Sequence, residues 1–457
     1  MEHMEKESGT YKQMTQAPLK RLICKMAVPG VISMVITAVY NMVDTYFVGQ
    51  LGTSASGAVG IVFSLMALIL AIGLFFGHGS GNYISRELGA QRMENAEAMF
   101  STGFFLCLAV SSALAVIGFI FLEPMVRLLG ATETILPYAC DYTRYILLGA
   151  PFMAGTLTLN NQFRCQGSPI LGMIGVAAGA VINIVLDPLF IIKWGMGTGG
   201  AGLATMISQM VSFLILLLQG LRGRGDTMRL RLRCFTLRAD FIKEIIRTGF
   251  PSFARQMLTA ASTICLNHAA GVYGDAAIAA MAIVARTMGF VNSAILGFGQ
   301  GYQPVCGFNY GSHRYDRVLE GFRFCVYTAT GILLFTCAGG FIFAERVVGL
   351  FRDDPEVIAF GARSLRMQCA VFPLVGYVVV SNMLFQNIGY TGKATLLALA
   401  RQGIFFLPLL YLLTAFLGKL GIQLAQPLSD VFTFAMALPM GLKVIRQLRE
   451  KQKLEDE

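Results

Sequence analysis

Four polar residues stand in stretches that otherwise read as hydrocarbon. Asp44 lies in NMVDTYFVGQLG (41–52), directly after MAVPGVISMVITAVY (26–40), which carries no charge. Asn183 and Asp187 interrupt IGVAAGAVINIVLDPLFII (174–192), and Thr205 ends GTGGAGLAT (197–205). Asn183 and Asp187 are four apart, as are Tyr40 and Asp44, so each pair shares a helix face. Pro188 cannot donate to the carbonyl of Ile184, which leaves that oxygen free beside the acids. With the Tyr142 hydroxyl the set is all oxygen: two carboxylates, an amide, hydroxyls and a carbonyl. Hard cations such as Na⁺ prefer oxygen ligands. A proton suits the set equally, because two neighbouring buried carboxylates raise one pKa. A charged Asp inside a bilayer costs ~2.5–3.5 kcal/mol on insertion scales. That cost makes sense if the charge is periodically cancelled by a cation. No other metal is expected, since no HExxH or comparable spacing occurs.

The elements that must position these residues are membrane-spanning helices. The chain has 457 residues, 55% of them hydrophobic and 14% charged, with mean hydropathy +0.63. Apolar runs of about twenty residues recur, long enough to cross a ~30 Å hydrocarbon core. Twelve spans are expected near 25–48, 57–77, 98–121, 136–160, 169–192, 199–220, 241–268, 277–299, 318–343, 365–387, 394–416 and 420–442. The first 20 residues are polar and are not expected to be a cleaved signal peptide. The net charge of +10 fits the positive-inside bias better than nucleic-acid binding. The Arg-rich segment after the sixth span and the Lys- and Arg-rich ends share one side, while the turns at 49–56 and 271–276 lack Lys and Arg. Both termini are therefore expected in the cytoplasm; Arg346, Arg352, Arg363 and Arg366 run against the trend. Ten scattered cysteines without a CxxC pair read as small buried hydrophobes.

Shifted by 222 residues, the chain superposes on itself: Pro29 on Pro251, Gly52 on Gly274, Gly89 on Gly311, Pro151 on Pro373, Asn160 on Asn382, Gly167 on Gly389. Six spans per half make the repeats parallel, related by an axis along the membrane normal, which is a transporter layout. The expected organisation is a cytoplasmic tail 1–24, an N-terminal lobe 25–220, a cytoplasmic linker 221–240, a C-terminal lobe 241–442 and a cytoplasmic tail 443–457. The repeats disagree at the polar set: Asp44 falls on Leu266, Asn183 on Phe405 and Asp187 on Leu409. Specialisation thus belongs to the N-terminal lobe. Three helices bring Asp44, Asn183, Asp187 and Thr205 to one level of its outer half.

The first span with Pro29 and NMVDTYFVGQLG, the SRELGAQRMENA stretch, NNQFRCQG (160–167), and NIVLDPLFI followed by GTGGAGLAT together resemble the multidrug and toxic compound extrusion (MATE) transporters, in the pattern of the bacterial DinF-like branch. The likeness runs over essentially the whole chain. It implies an all-α membrane protein with two six-helix lobes in a V. The implied activity is secondary antiport, exporting organic and often cationic compounds against H⁺ or Na⁺ with no cofactor. It also implies a cation site at Asp44, Asn183, Asp187 and Thr205, with Tyr40, Tyr142 and Asn160 as neighbours. Pro29 is the expected hinge, since it removes one helix bond. A bacterial plasma (inner) membrane, small-molecule substrates, a lipid surround and a monomer are expected.

Met257, Met288 and Asn292 are candidates for the substrate cleft, Met being adaptable in promiscuous pockets. Arg255, Arg286, Arg401 and Asp430 lie within C-terminal spans, where charges pair with one another. GFGQG (297–301) and GMGTGGAG (195–202) read as turns and helix ends, and His78 and His313 as residues of cytoplasmic connections. No nucleophile–His–acid set suggests an enzyme. A flippase of lipid-linked saccharides with the same architecture is the competing reading; twelve spans and an acidic N-terminal lobe argue against it, while the C-terminal arginines favour it.

Overall fold

In a computed structural model, which describes residues 9–223 and 227–456, the chain is helical almost throughout. Lys6 of the basic amino-terminal tail and Arg224 of the inter-lobe segment lie outside the described residues. The helices are α1 (Gly9–Gln16), α2 (Leu19–Gly49), α3 (Thr53–Gly89), α4 (Met93–Ile120), α5 (Leu122–Leu128), α6 (Leu136–Cys165), α7 (Pro169–Pro188), α8 (Gly197–Arg222), α9 (Ala239–Gly271), α10 (Asp275–Gly311), α11 (Tyr315–Ile342), α12 (Ala344–Gly349), α13 (Pro355–Val371), α14 (Pro373–Asn387), α15 (Thr391–Leu399), α16 (Phe406–Leu417) and α17 (Lys419–Asp456). Among the described residues, nine rods are long and apolar enough to span, and α13 with α14, bent by 54°, makes a tenth. The other two of the twelve, α6 and α9, are long enough at 30 and 33 residues but carry more polar side chains.

The buried side chains form two large clusters. One joins Phe100, Phe104, Phe163 and Leu216 of the first half and takes in Phe241 and Ile245 of α9; the other joins Tyr302, Phe322, Phe372 and Phe385 of the second and takes in Leu22, Ile23 and Met26 of α2. The repeat shows in the backbone too. Gly52 and Gly274 take φ of 106° and 98°, and Gly167 and Gly389 take 87° and 83°. Gln91 and His313, also 222 apart, take 59° and 60°, a left-handed turn that non-glycine residues seldom adopt. The halves differ in their wide π turns. One, Leu189–Lys193, follows Pro188; the other, Ala400–Ile404, lies between α15 and α16.

The lobes meet along α2 with α10 and α3 with α9, and small residues make this possible. A Cβ on Gly301 would stand 2.5 Å from Ala27 Cα, one on Gly297 2.9 Å from Val31 Cα, and one on Gly79 2.7 Å from the Ile245 carbonyl oxygen. Such spacing lets helix backbones nearly touch. These contacts, and the inter-lobe hydrogen bonds described below, all lie in the half of the molecule that bears the termini. The lobes diverge toward the opposite, far face, giving a V closed at its terminal end.

Several expectations are corrected. GFGQG is not a turn: it lies inside α10, where its glycines admit α2. His78 is not in a connection but buried within α3, which runs on to Gly89. The tenth span begins at Pro355, ten residues earlier than expected, and bends at Phe372 because Pro373 cannot continue the hydrogen-bond ladder. Residues 443–456 are the last turns of α17, not a tail. Residues 9–16 form α1 beneath the bundle: the Met14 carbonyl accepts from Asn309 (3.1 Å), and the Thr15 and Ala17 carbonyls accept from Arg314 (2.8 Å) and Arg317 (2.7 Å).

A candidate cation site in the first lobe

The site forms where α2, α6, α7 and α8 pack together. Asn183 and Asp187 lie one turn apart on the inner face of α7, with 2% and 0% of their surface exposed. Asn183 Nδ2 donates to Asp187 Oδ1 at 3.3 Å. Pro188 and the π turn then end the regular helix, so Asp187 occupies its last turn. Tyr142, fully buried on α6, packs on Gly202 of α8; its hydroxyl is 3.6 Å from Met66 Sδ and within reach of Thr205. The charges of Asp44 and Asp187 act on each other and on Tyr40 and Tyr142, so these groups occupy one neighbourhood.

Three oxygens decide what the site can do. Asp44 Oδ1, Asp187 Oδ2 and Asn183 Oδ1 are buried without a hydrogen-bond partner. A buried acceptor left unpaired costs roughly 1–3 kcal/mol, and more when charged. No arginine or lysine donates to either aspartate among the described residues. A proton would neutralise one of the two carboxylates, whereas a small hard cation can take several oxygens at once, and carboxylate and amide oxygens are what Na⁺ favours. A transition metal does not fit, for no group of three His, Cys, Asp or Glu occurs among the described residues.

A cavity of about 70 Å³ adjoins the site, lined by Thr37, Tyr40, Thr156, Asn183, Thr205, Ser208, Gln209 and Ser212 among others. It accommodates water or an ion and is far below the ~300 Å³ of a drug-sized pocket. Asn160 does not reach it. Its side chain packs on Gly172, eleven residues, or ~16 Å, along α7 from Asn183. Sequence reasoning missed Ser208, Gln209 and Ser212. With Thr205 they form a polar stripe at helical spacing on an apolar helix, a signal that was readable.

The second lobe holds a larger cavity of about 310 Å³, lined by Arg255, Met288, Asn292, Asn382, Arg401 and Gln426 among others. Met288 and Asn292 line this cavity; Met257 does not, and neither does Arg286, which is exposed on α10. Arg401 and Asp430 pair as expected: Arg401 Nε donates to Asp430 Oδ1 at 2.8 Å, and Gln426 supports the same oxygen at 2.9 Å.

Comparison with known proteins agrees with this architecture. The MatE family model matches residues 29–189 and again 251–412, two copies starting 222 residues apart. Multidrug export protein MepA of Staphylococcus saprophyticus is 28% identical over 397 residues, covering 87% of each chain. MepA of Staphylococcus aureus strain MRSA252 is 25% identical over 409 residues, covering 89% of this chain and 90% of its own. Among solved structures, a MATE protein in the straight conformation superposes with a TM-score of 0.91 at 24% identity, covering 97% of this chain and 99% of that one. A MOP superfamily transporter from Pyrococcus furiosus, described as having a binding pocket of reverse polarity, gives 0.91 at 24% identity and covers 97% and 100%. At that identity the structures speak for the fold.

Proposed function

The chain belongs to the MATE family, matched by its family model in both halves, and from that premise we propose that it exports organic compounds, many of them cationic, by exchange for H⁺ or Na⁺ bound in the first lobe. It is a transporter and not an enzyme. Export of several drugs is supported by the multidrug export relatives that align over most of its length. Exchange is supported by one observation above the rest: the unpartnered buried oxygens of Asp44, Asn183 and Asp187.

The mechanism follows from electrostatics. With the lobes apart at the far face, the acids can exchange a cation with that side. Their negative charge is costly in the bilayer interior, and a bound cation removes it. Returning one charge inward supplies ~2.3 kcal/mol per 100 mV. Asp44 sits on α2 and Asp187 on α7, so neutralising both removes a repulsion between helices and permits them to shift. Pro29 on α2 supplies the point of bending, and Tyr40, Thr205 and Tyr142 stand in the neighbourhood of the acids. No prosthetic group takes part; H⁺ or Na⁺ is cargo.

The polar tail and the Arg-rich inter-lobe segment support a terminal face in the cytoplasm of a bacterial cell, with the protein in its plasma membrane. The linker 221–240 joins a first lobe 25–220 to a second lobe 241–442. It is tied to the first lobe, where Met228 N donates to Gln166 Oε1 at 3.1 Å and Thr236 N to Thr102 Oγ1 at 3.2 Å. The chain works as a monomer, each holding a complete pair of lobes.

The deciding experiment loads proteoliposomes with ethidium and imposes a Na⁺ gradient or a pH gradient in turn, for wild type and Asp44→Asn. Export that follows one gradient and vanishes in the variant identifies the ion and supports the site. Full export by Asp44→Asn overturns it.

A further inference from the structure

The two cavities occupy matching places in the two repeats but differ in charge: the first adjoins Asp44 and Asp187 and has no charged side chain in its wall, whereas Arg255 and Arg401 line the second. Thr37 and Tyr40 of the first cavity correspond to Thr259 and Ser262 of the second at the 222-residue offset. At that offset Asp44 is replaced by Leu266, which lines the second cavity, and Gly179 and Ser208 are replaced by Arg401 and Asp430. Arg401 is neutralised by Asp430, whose side chain is completely buried. Arg255, on α9 in the place of Ser33, is different. Among the described residues no carboxylate pairs with its guanidinium, and none lines the cavity. Asp430 is already engaged by Arg401 and Gln426. His78 of α3 is the titratable group across the lobe boundary that feels Arg255, and it adds no negative charge.

A guanidinium does not lose its proton inside a protein. An unpaired one in a low-dielectric wall is costly and attracts a negative partner. The surroundings say what kind. Met288, Phe372, Leu397 and Phe406 give the cavity apolar walls, and the buried, unpartnered Oδ1 atoms of Asn292 and Asn382 accept from a hydroxyl or N–H on the same body and not from its acidic group. We propose that the second-lobe cavity is a binding site for an organic anion, a single carboxylate or phosphate on an apolar body, with Arg255 contacting the acidic group. The chain then carries two sites of opposite sign. The first-lobe acids take the coupling cation, and the second-lobe arginine admits cargo with an acidic group, including amphoteric molecules. The proposal goes beyond the exchange reading and does not depend on it, because binding at equilibrium requires no ion gradient.

The test is equilibrium binding of radiolabelled 1-naphthaleneacetate to the purified full-length protein in a neutral detergent. Saturable binding to wild type is expected. Arg255→Gln should weaken it about tenfold or more, the scale of a lost charge-assisted hydrogen bond, while Arg255→Lys retains most of it. Met288→Trp, which fills the cavity and keeps the charge, should abolish it. The cationic isostere 1-naphthylmethylammonium should not compete. Asp44→Asn should bind like wild type, so failure of the exchange reading and failure of this one give different results. Arg255→Gln should also melt no lower than wild type, since an uncompensated charge has gone. Nanodiscs with and without phosphatidylglycerol separate the sources: competition by that lipid assigns the site to a lipid headgroup, and its absence to soluble organic anions. No saturable binding to wild type, or equal binding by Arg255→Gln, overturns the proposal.

Discussion

Asp187 is the more demanding of the two acids, being fully buried at the last regular turn of α7. Asp187→Asn keeps the shape and removes the charge. Gradient-driven ethidium export by this variant is expected to fall about tenfold or more, the effect of 1.4 kcal/mol or greater on coupling, with the folded protein recovered in normal yield. The other buried charge of similar depth, Asp430, has a structural role. Asp430→Asn leaves Arg401 without its counter-charge, so thermal unfolding in detergent should show a loss of about 3–5 kcal/mol. An apolar pair at 401 and 430 should lose much less. Both roles were partly legible in the sequence. A carboxylate in an apolar run is conspicuous, and Arg401 with Asp430 in adjacent spans invited pairing. Which acid keeps an unpartnered oxygen and which meets an arginine depends on side chains from other helices, which spacing along the chain does not give.

At the scale of helices, α2 runs unbroken through Pro29 in this conformation, and Ser33 Oγ bonds back to the Pro29 carbonyl at 2.9 Å. Pro29 leaves the Lys25 carbonyl without its usual helical donor, a weak point four turns below Asp44. Pro29→Ala should slow export while leaving cation binding intact, which isotope uptake at equilibrium would reveal; export at the wild-type rate removes the hinge. The glycines of α10 act differently. Gly301→Leu puts a side chain where Ala27 backbone lies 2.5 Å from a simple Cβ. It should destabilise the terminal-side seam by about 1–3 kcal/mol, seen as a lower melting temperature. The GFGQG motif made these glycines visible in the sequence, but not their function. GFGQG reads locally as a flexible turn, and only the neighbouring α2 explains why a helix needs glycine there.

For the molecule as a whole, polar contacts lock the lobes together at the terminal end. Arg86 bonds Glu244 across the seam and donates to the Asn387 carbonyl at 3.2 Å. Arg164 reaches from the first lobe to Gln300 (2.8 Å) and Gln303 (3.1 Å) of the second. An alternating transporter must break this latch to expose cargo on the terminal side. Arg164→Gln with Glu244→Gln should therefore shift the population toward the opposite opening. Buried Cys306 on α10 provides the readout: a membrane-impermeant maleimide applied from the terminal side should modify it several-fold faster in the double variant, scored by peptide mass spectrometry. Unchanged protection of Cys306 would mean the latch is not what holds the seam.

Hydropathy, helical period and a constant internal offset are local or linear properties. The sequence by itself therefore determined a twelve-span duplicated bundle and marked Asp44, Asn183, Asp187 and Thr205 as out of place in hydrocarbon. Pairing and proximity are not linear. Only the tertiary structure decided that three of the oxygens in that set lack partners, that Asn160 stands well below them, that the V closes at the terminal end, and that Arg255 alone among the cavity's charges has no counter-ion. Each of these depends on which side chains distant helices bring within a few ångströms, where hydrogen bonds and unscreened charges act.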